Sequence, residues 1–185
     1  YTQLIARRVR EQNVYSEVLS PSVSLDVIKS KNPKAIILSG GPASVFNDDA
    51  PVFDKDILNI NIPILGICYG LQLLVHHSGG TVDSTGEGEY GFATIKTVTK
   101  NGIVKNMSSS SKVWMSHMDQ VTMIPDDWEV VAYSSNNIVA AIASNDHMRF
   151  ATQFHPEVSH TEEGDILLNN FLFHISECEK NWTAG

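Results

Sequence analysis

Residues 62–67 read as a buried strand that runs straight into Gly66-Ile67-Cys68-Tyr69-Gly70, and residues 71–75 resume with helical character up to Gly79-Gly80. A strand, a turn of the form Gly-x-Cys-x-Gly and then a helix have the layout of a nucleophile elbow. The turn is so sharp that side chains two residues either side of its centre collide, and glycine at 66 and 70 removes the collision. The same layout puts Cys68 at the first turn of a helix, where unpaired amides and the helix dipole favour an anion. A free thiol, with a pKa of about 8.5, is only a few per cent thiolate at neutral pH, so this placement raises the reactive fraction. The competing reading is a buried cysteine at a strand end.

The elbow needs a sheet behind it, and the rest of the chain supplies one. Strand-like and helix-like segments alternate in the first half: a helix from Tyr1 to about Gln12, a strand over 14–19, a helix over 24–30 capped by Ser24, a strand over 35–38 and a short helix over 54–58. The second half has short strands over 92–98, 113–115, 129–133, 138–143 and 150–154, a serine turn at 108–111 and a closing helix over 163–178. The expected fold is α/β, an open, mostly parallel sheet flanked by helices with added antiparallel strands. With 185 residues, 42% apolar and 18% charged, one domain over 1–178 is expected. Lys plus Arg at 13 against Asp plus Glu at 21 leaves a net charge of −8, the wrong sign for holding a phosphate backbone, so no nucleic-acid partner is expected. No apolar stretch approaches the roughly 20 residues that cross a bilayer, so no membrane partner is expected. Cys68 and Cys178, the only two cysteines, stand in unlike settings. That usage and the lack of a leader point to the cytoplasm, with Cys178 as a core thiol.

A thiolate needs a base, and seven histidines compete for the role. His76, His77, His147 and His174 fall on helices or in a polar turn. His155 follows a strand, is held extended by Pro156, and has Glu157 at i+2 on the same side. A carboxylate there can take the second ring N–H and fix the tautomer. The alternative for His155, Glu157 and His160 is a metal site, for which the spacing is poor; no metal is expected. Ser39-Gly40-Gly41-Pro42, directly after a strand, reads as a plain turn, a phosphate loop lacking its lysine, or one wall of an oxyanion hole formed by the amides of Gly41 and Tyr69.

Gly66-Ile67-Cys68-Tyr69-Gly70-Leu71-Gln72, Ser39-Gly40-Gly41-Pro42 and Gln153-Phe154-His155-Pro156-Glu157, in this order, resemble the class I, triad-type glutamine amidotransferases. Residues 1–11, Trp114-Met115-Ser116-His117 with Asp119, and the C-terminal Cys178-Glu179 and Trp182-Thr183 are similar, within that family, to the amidotransferase domains that serve GMP synthesis. The resemblance implies a flavodoxin-like sheet and a triad of Cys68, His155 and Glu157. It also implies a glutamine grip of Gln72, Ser116, His117 and Asp119. His117 is further a candidate for closing or signalling. The partners it implies are L-glutamine and an ATP pyrophosphatase-type synthetase domain, beginning beyond a linker of which 179–185 is the start, with the full-length enzyme a homodimer. No cofactor is expected in this domain, and ATP and Mg are expected in the synthetase. The alternatives are ammonia supply to anthranilate or carbamoyl phosphate synthesis, a γ-glutamyl thiol hydrolase or peptidase, and a non-catalytic module on the same fold. The family has a strand and an Asp-Phe-Gly-Ser-Gln turn before its first helix, glycine where Met118 stands and arginine where Gly88 stands.

Overall fold

The computed structural model describes residues 1–41, 44–48, 50, 52–84 and 88–184; Pro42 and Gly185, which the sequence reading includes, lie outside them. Helix α1, Thr2–Glu11, turns Ile5, Ala6 and Val9 inward and carries Arg8 and Arg10 in its last turn, where cations suit the helix dipole. Helix α2, Leu25–Lys31, is capped by Ser24, whose hydroxyl accepts from the Val27 amide at 3.3 Å, and it ends on Asn32 in the left-handed region. Strands β1, Ile36–Leu38, and β2, Ile64–Ile67, are parallel neighbours. Helix α3, Tyr69–His77, leaves β2 with a single residue between them. β3 is Thr81–Asp83, β4 Glu89–Thr97, β5 Ser110–His117, β6 Gln120–Met123, β7 Trp128–Ser134, β8 Val139–Ser144 and β9 Arg149–Thr152. Helix α4, Gly164–Asn169, runs on into a π-helical turn, Asn170–Ile175.

The main sheet has the order β1-β2-β9-β8-β7-β4-β5, and β3 pairs with β6 in a small second sheet. The expected open sheet, flanking helices and antiparallel additions are all present. The balance differs from expectation: β1, β2 and β9 are parallel, while the other four pairings are antiparallel, so the sheet is mixed. Its two faces bury separate cores. Leu65 and Ile67 point to one, with Ile5, Val9, Phe150, Leu168 and Phe171; Ile64 points to the other, with Leu71, Leu74, Val75 and Ile142. Because both faces are covered, β2 is buried at every position and reads as an unbroken apolar run.

Several segments depart from the sequence expectation, among them the closing helix expected over 163–178, which becomes π-helical at Asn170 and ends at Ile175. Residues 14–19 join no ladder among the described residues; with β1 and other segments they line a cavity of about 760 Å³. The short helix over 54–58 is a 3-10 turn, Lys55–Asn59, and the serine run enters β5 at Ser110.

The sheet curls. The chain leaving β9 donates His155 N–H to the Trp114 carbonyl of β5 at 3.1 Å, although β9 and β5 stand four places apart in the sheet. That closure brings the C-terminal end of β5 over the end of β2.

Candidate active site

Cys68 sits at the end of β2 with φ 56° and ψ −101°. A non-glycine residue held there costs on the order of 1–3 kcal/mol. Two backbone hydrogen bonds hold it: Cys68 N–H donates to Thr152 O at 2.7 Å, and Gln72 N–H donates to Cys68 O at 3.2 Å. A Cβ on Gly66 would lie 2.6 Å from Gly70 O, and one on Gly70 only 2.1 Å from Leu38 O. The elbow therefore forms only with glycine at both positions.

The side chains around the thiol come from four elements. His155 and Glu157 are buried, and His155 Nδ1 lies 2.8 Å from Glu157 Oε1. The carboxylate accepts, so Nδ1 carries a proton and Nε2 is left to serve the thiol. Thr161 fixes the segment by donating its hydroxyl to His155 O at 2.7 Å while accepting Trp114 N–H at 3.0 Å. From α1, Arg8 Nε donates to Glu157 O at 2.8 Å, and the Tyr1 ring lies 4.6 Å from that of His155. The Cys68 thiol donates to Ser116 O at 3.5 Å and accepts from Gln153 Nε2 at 3.6 Å. Gln72 Nε2 donates to Asp119 O at 3.1 Å and to Gln153 Oε1 at 3.5 Å. The sequence alone assigns no role to Thr161, Arg8 or Gln153; Gln153 at least lies within the His155 motif.

Burial opposes charge on His155, but its hydrogen bonds to Cys68 and Glu157, together with their negative charge, outweigh it and raise the ring's pKa to about 9. At neutral pH the ring is an imidazolium beside the Cys68 sulfur and the Glu157 carboxylate. A pKa raised from 6.5 to about 9 stabilises the fold fully below pH 6.5, and this contribution is lost as pH rises through 9. The melting temperature is therefore expected to fall between pH 7 and 10 more steeply in the parent than in His155→Gln. Equal slopes in a pH series of thermal melts would contradict the assignment.

The other expected residues are also at this edge. Gly41 packs on the Tyr69 ring, a Cβ there lying 2.5 Å from Tyr69 Cδ1, so the two residues expected to supply oxyanion amides are neighbours. Asp119 is buried, and its Oδ2 has no hydrogen-bond partner among the described residues. Ser116 reaches the thiol through its carbonyl. His117 is buried with both ring nitrogens engaged, Nδ1 2.8 Å from Asp119 O and Nε2 2.9 Å from Glu89 Oε1, so it supports the loop from behind. Gly88, at φ 59°, lies against this loop, and a Cβ would come within 2.4 Å of His117 O, which leaves no room for the family's arginine on this backbone. His160 stacks on Trp114 at 4.6 Å. Cys178 packs half-buried against the core, where burial pushes its thiol pKa up.

A model of the family described as glutamine amidotransferase class-I matches residues 1–175. The chain belongs to the class-I glutamine amidotransferases. Within this family it is 50% identical over 185 residues to a relative from Brachyspira hyodysenteriae and 51% identical to one from Campylobacter jejuni, both named GMP synthase [glutamine-hydrolyzing]. All of the chain is matched in each case, and it spans only 36% of the length of either relative. A solved structure from Thermoplasma acidophilum, described as a GMP synthase subunit, superposes with a TM-score of 0.80 at 29% identity, covering 92% of this chain and 86% of that one. A glutamine amidotransferase from Thermotoga maritima, 19% identical, shares the fold at a TM-score of 0.76 over 94% of this chain and 92% of its own.

Proposed function

We propose that this amidotransferase hydrolyses L-glutamine through a cysteinyl thioester and passes the ammonia to a synthetase that aminates XMP to GMP. The observation that carries the reading is the strained Cys68 elbow facing His155, itself oriented by Glu157 at 2.8 Å. The Cys68 thiolate attacks the side-chain amide carbon of glutamine. The amides of Gly41 and Tyr69 hold the oxyanion, and the His155 imidazolium gives its Nε2 proton to the departing nitrogen. Ammonia leaves and the glutamyl thioester remains. His155, now neutral, takes a proton from water, the hydroxide adds to the thioester, and glutamate leaves with the thiolate restored. The unpartnered Oδ2 of Asp119 suits the α-ammonium of glutamine. ATP, Mg and XMP bind in the synthetase partner, not here. The relatives' names and their greater length support this division.

Ammonia made without an acceptor is wasted, so the partner is expected to gate the site. Glutamate release by this chain should be slow alone and with ATP plus XMP, and should accelerate when a synthetase portion accompanies both. Acceleration by the nucleotides without the partner, or by chorismate or bicarbonate with their own synthases, would contradict the assignment.

A further inference from the structure

Glu89 and His117 form a buried pair that none of the chemical steps above uses. They are register partners at the end of the β4–β5 ladder, 4% exposed at His117 and 7% at Glu89. Both ring nitrogens of His117 meet acceptors. Asp119 O has no proton to give, so Nδ1 must donate to it, and the second proton lies between Nε2 and Glu89 Oε1. The other oxygen, Glu89 Oε2, accepts from Asn136 Nδ2 at 3.1 Å. Burial alone would raise the Glu89 pKa; the hydrogen bonds from His117 and Asn136 reverse this and hold it below its ordinary value, which leaves Glu89 charged.

Burying an ion pair adds little net stability, because desolvation offsets the attraction; its value lies in the geometry it enforces. Here the geometry is that of the turn at 116–119. Ser116 O meets the Cys68 thiol, and Asp119 O is held between His117 Nδ1 and Gln72 Nε2 of α3. Resting on the glutaminase reading, we propose that Glu89 is a positioning residue for glutamine: through His117 it locks the Asp119 carbonyl and so aims the Asp119 carboxylate at the substrate.

The test is steady-state glutamine hydrolysis by the full-length protein with Glu89→Ala and Glu89→Gln, together with the rate of Cys68 alkylation by iodoacetamide, which does not use the grip. Losing a hydrogen bond to a buried charge is expected to raise KM for glutamine about tenfold or more in Glu89→Ala, with kcat within about threefold of the parent. In Glu89→Gln an amide N–H can donate to Nε2 while Nδ1–H stays on Asp119 O, so KM should stay within about threefold. Alkylation rates should be unchanged in both. If Glu89→Ala does not fold, Glu89→Asp, which withdraws the carboxylate by one methylene, should show a smaller rise in KM. An unchanged KM, a loss confined to kcat and alkylation, or a Gln variant as impaired as Ala would overturn the positioning role. A parent that released no glutamate would overturn the glutaminase reading, and this role with it.

Discussion

Replacing Cys68 by alanine is expected to lower glutamate release by a factor on the order of 10⁴ or more, the scale seen when a triad nucleophile is removed. The fold should survive. Alanine fits the space, the elbow's hydrogen bonds are made by backbone atoms, and the positive φ strains alanine no more than cysteine. If a synthetase accompanies this domain as proposed, synthesis driven by added ammonia should persist, since the synthetase needs the nitrogen and not its source. Cys178→Ala is the control: it removes a half-buried thiol from the core and should cost stability of about 1 kcal/mol with no change in rate. A Cys68→Ala protein that released glutamate at the parent rate would place the chemistry elsewhere.

The second large effect concerns His155 and Glu157. His155→Ala removes the proton carrier for both halves of the reaction and should approach the Cys68→Ala loss. Glu157→Gln should be milder, on the order of 10⁴-fold at most, because its amide oxygen can still accept from Nδ1–H while the charge that raises the ring's pKa is gone. Residues that act as a unit are not additive, so the double variant should lose far less than the product of the single losses. Multiplicative losses, measured as kcat/KM in a double-mutant cycle, would mean that the two residues do not act through one another.

What the sequence disclosed depended on how local each constraint is. Gly66, Cys68 and Gly70 are legible because the steric demand of the elbow falls within five residues, and His155 with Glu157 because they stand two residues apart, although the chain brings them together through a turn at Pro156–Glu157 and not through the extended segment the sequence suggests. The strands of the parallel core are legible as apolar runs, since burial on both faces leaves no polar alternation. The positions of β4, β5, β7 and β8 can be read, but their order cannot, because pairing partners leave no mark on the strand itself. β3 and β6, three and four residues long, are too short for a periodic signal. Arg8 reaches Glu157 across 149 residues, and Glu89 reaches His117 across 28 through the register in which β4 and β5 pair, so neither contact is written in a local stretch of sequence. The apolar spacing of the closing segment predicted one helix, and the structure has a helix that widens into a π turn at Asn170, where the side-chain amide is turned to the carbonyls of Ile103 and Lys105.

The central claim is that Cys68 is the nucleophile that glutamine meets. A diazoketone analogue of glutamine, which alkylates a thiol only when held as the substrate is held, tests it in one measurement: intact and peptide mass after exposure of the full-length protein with the analogue at low excess. The expected result is a single adduct, on the peptide containing Cys68, suppressed by excess glutamine and absent from Cys68→Ala. An adduct on Cys178, or labelling of Cys68 that glutamine does not suppress, would contradict the account.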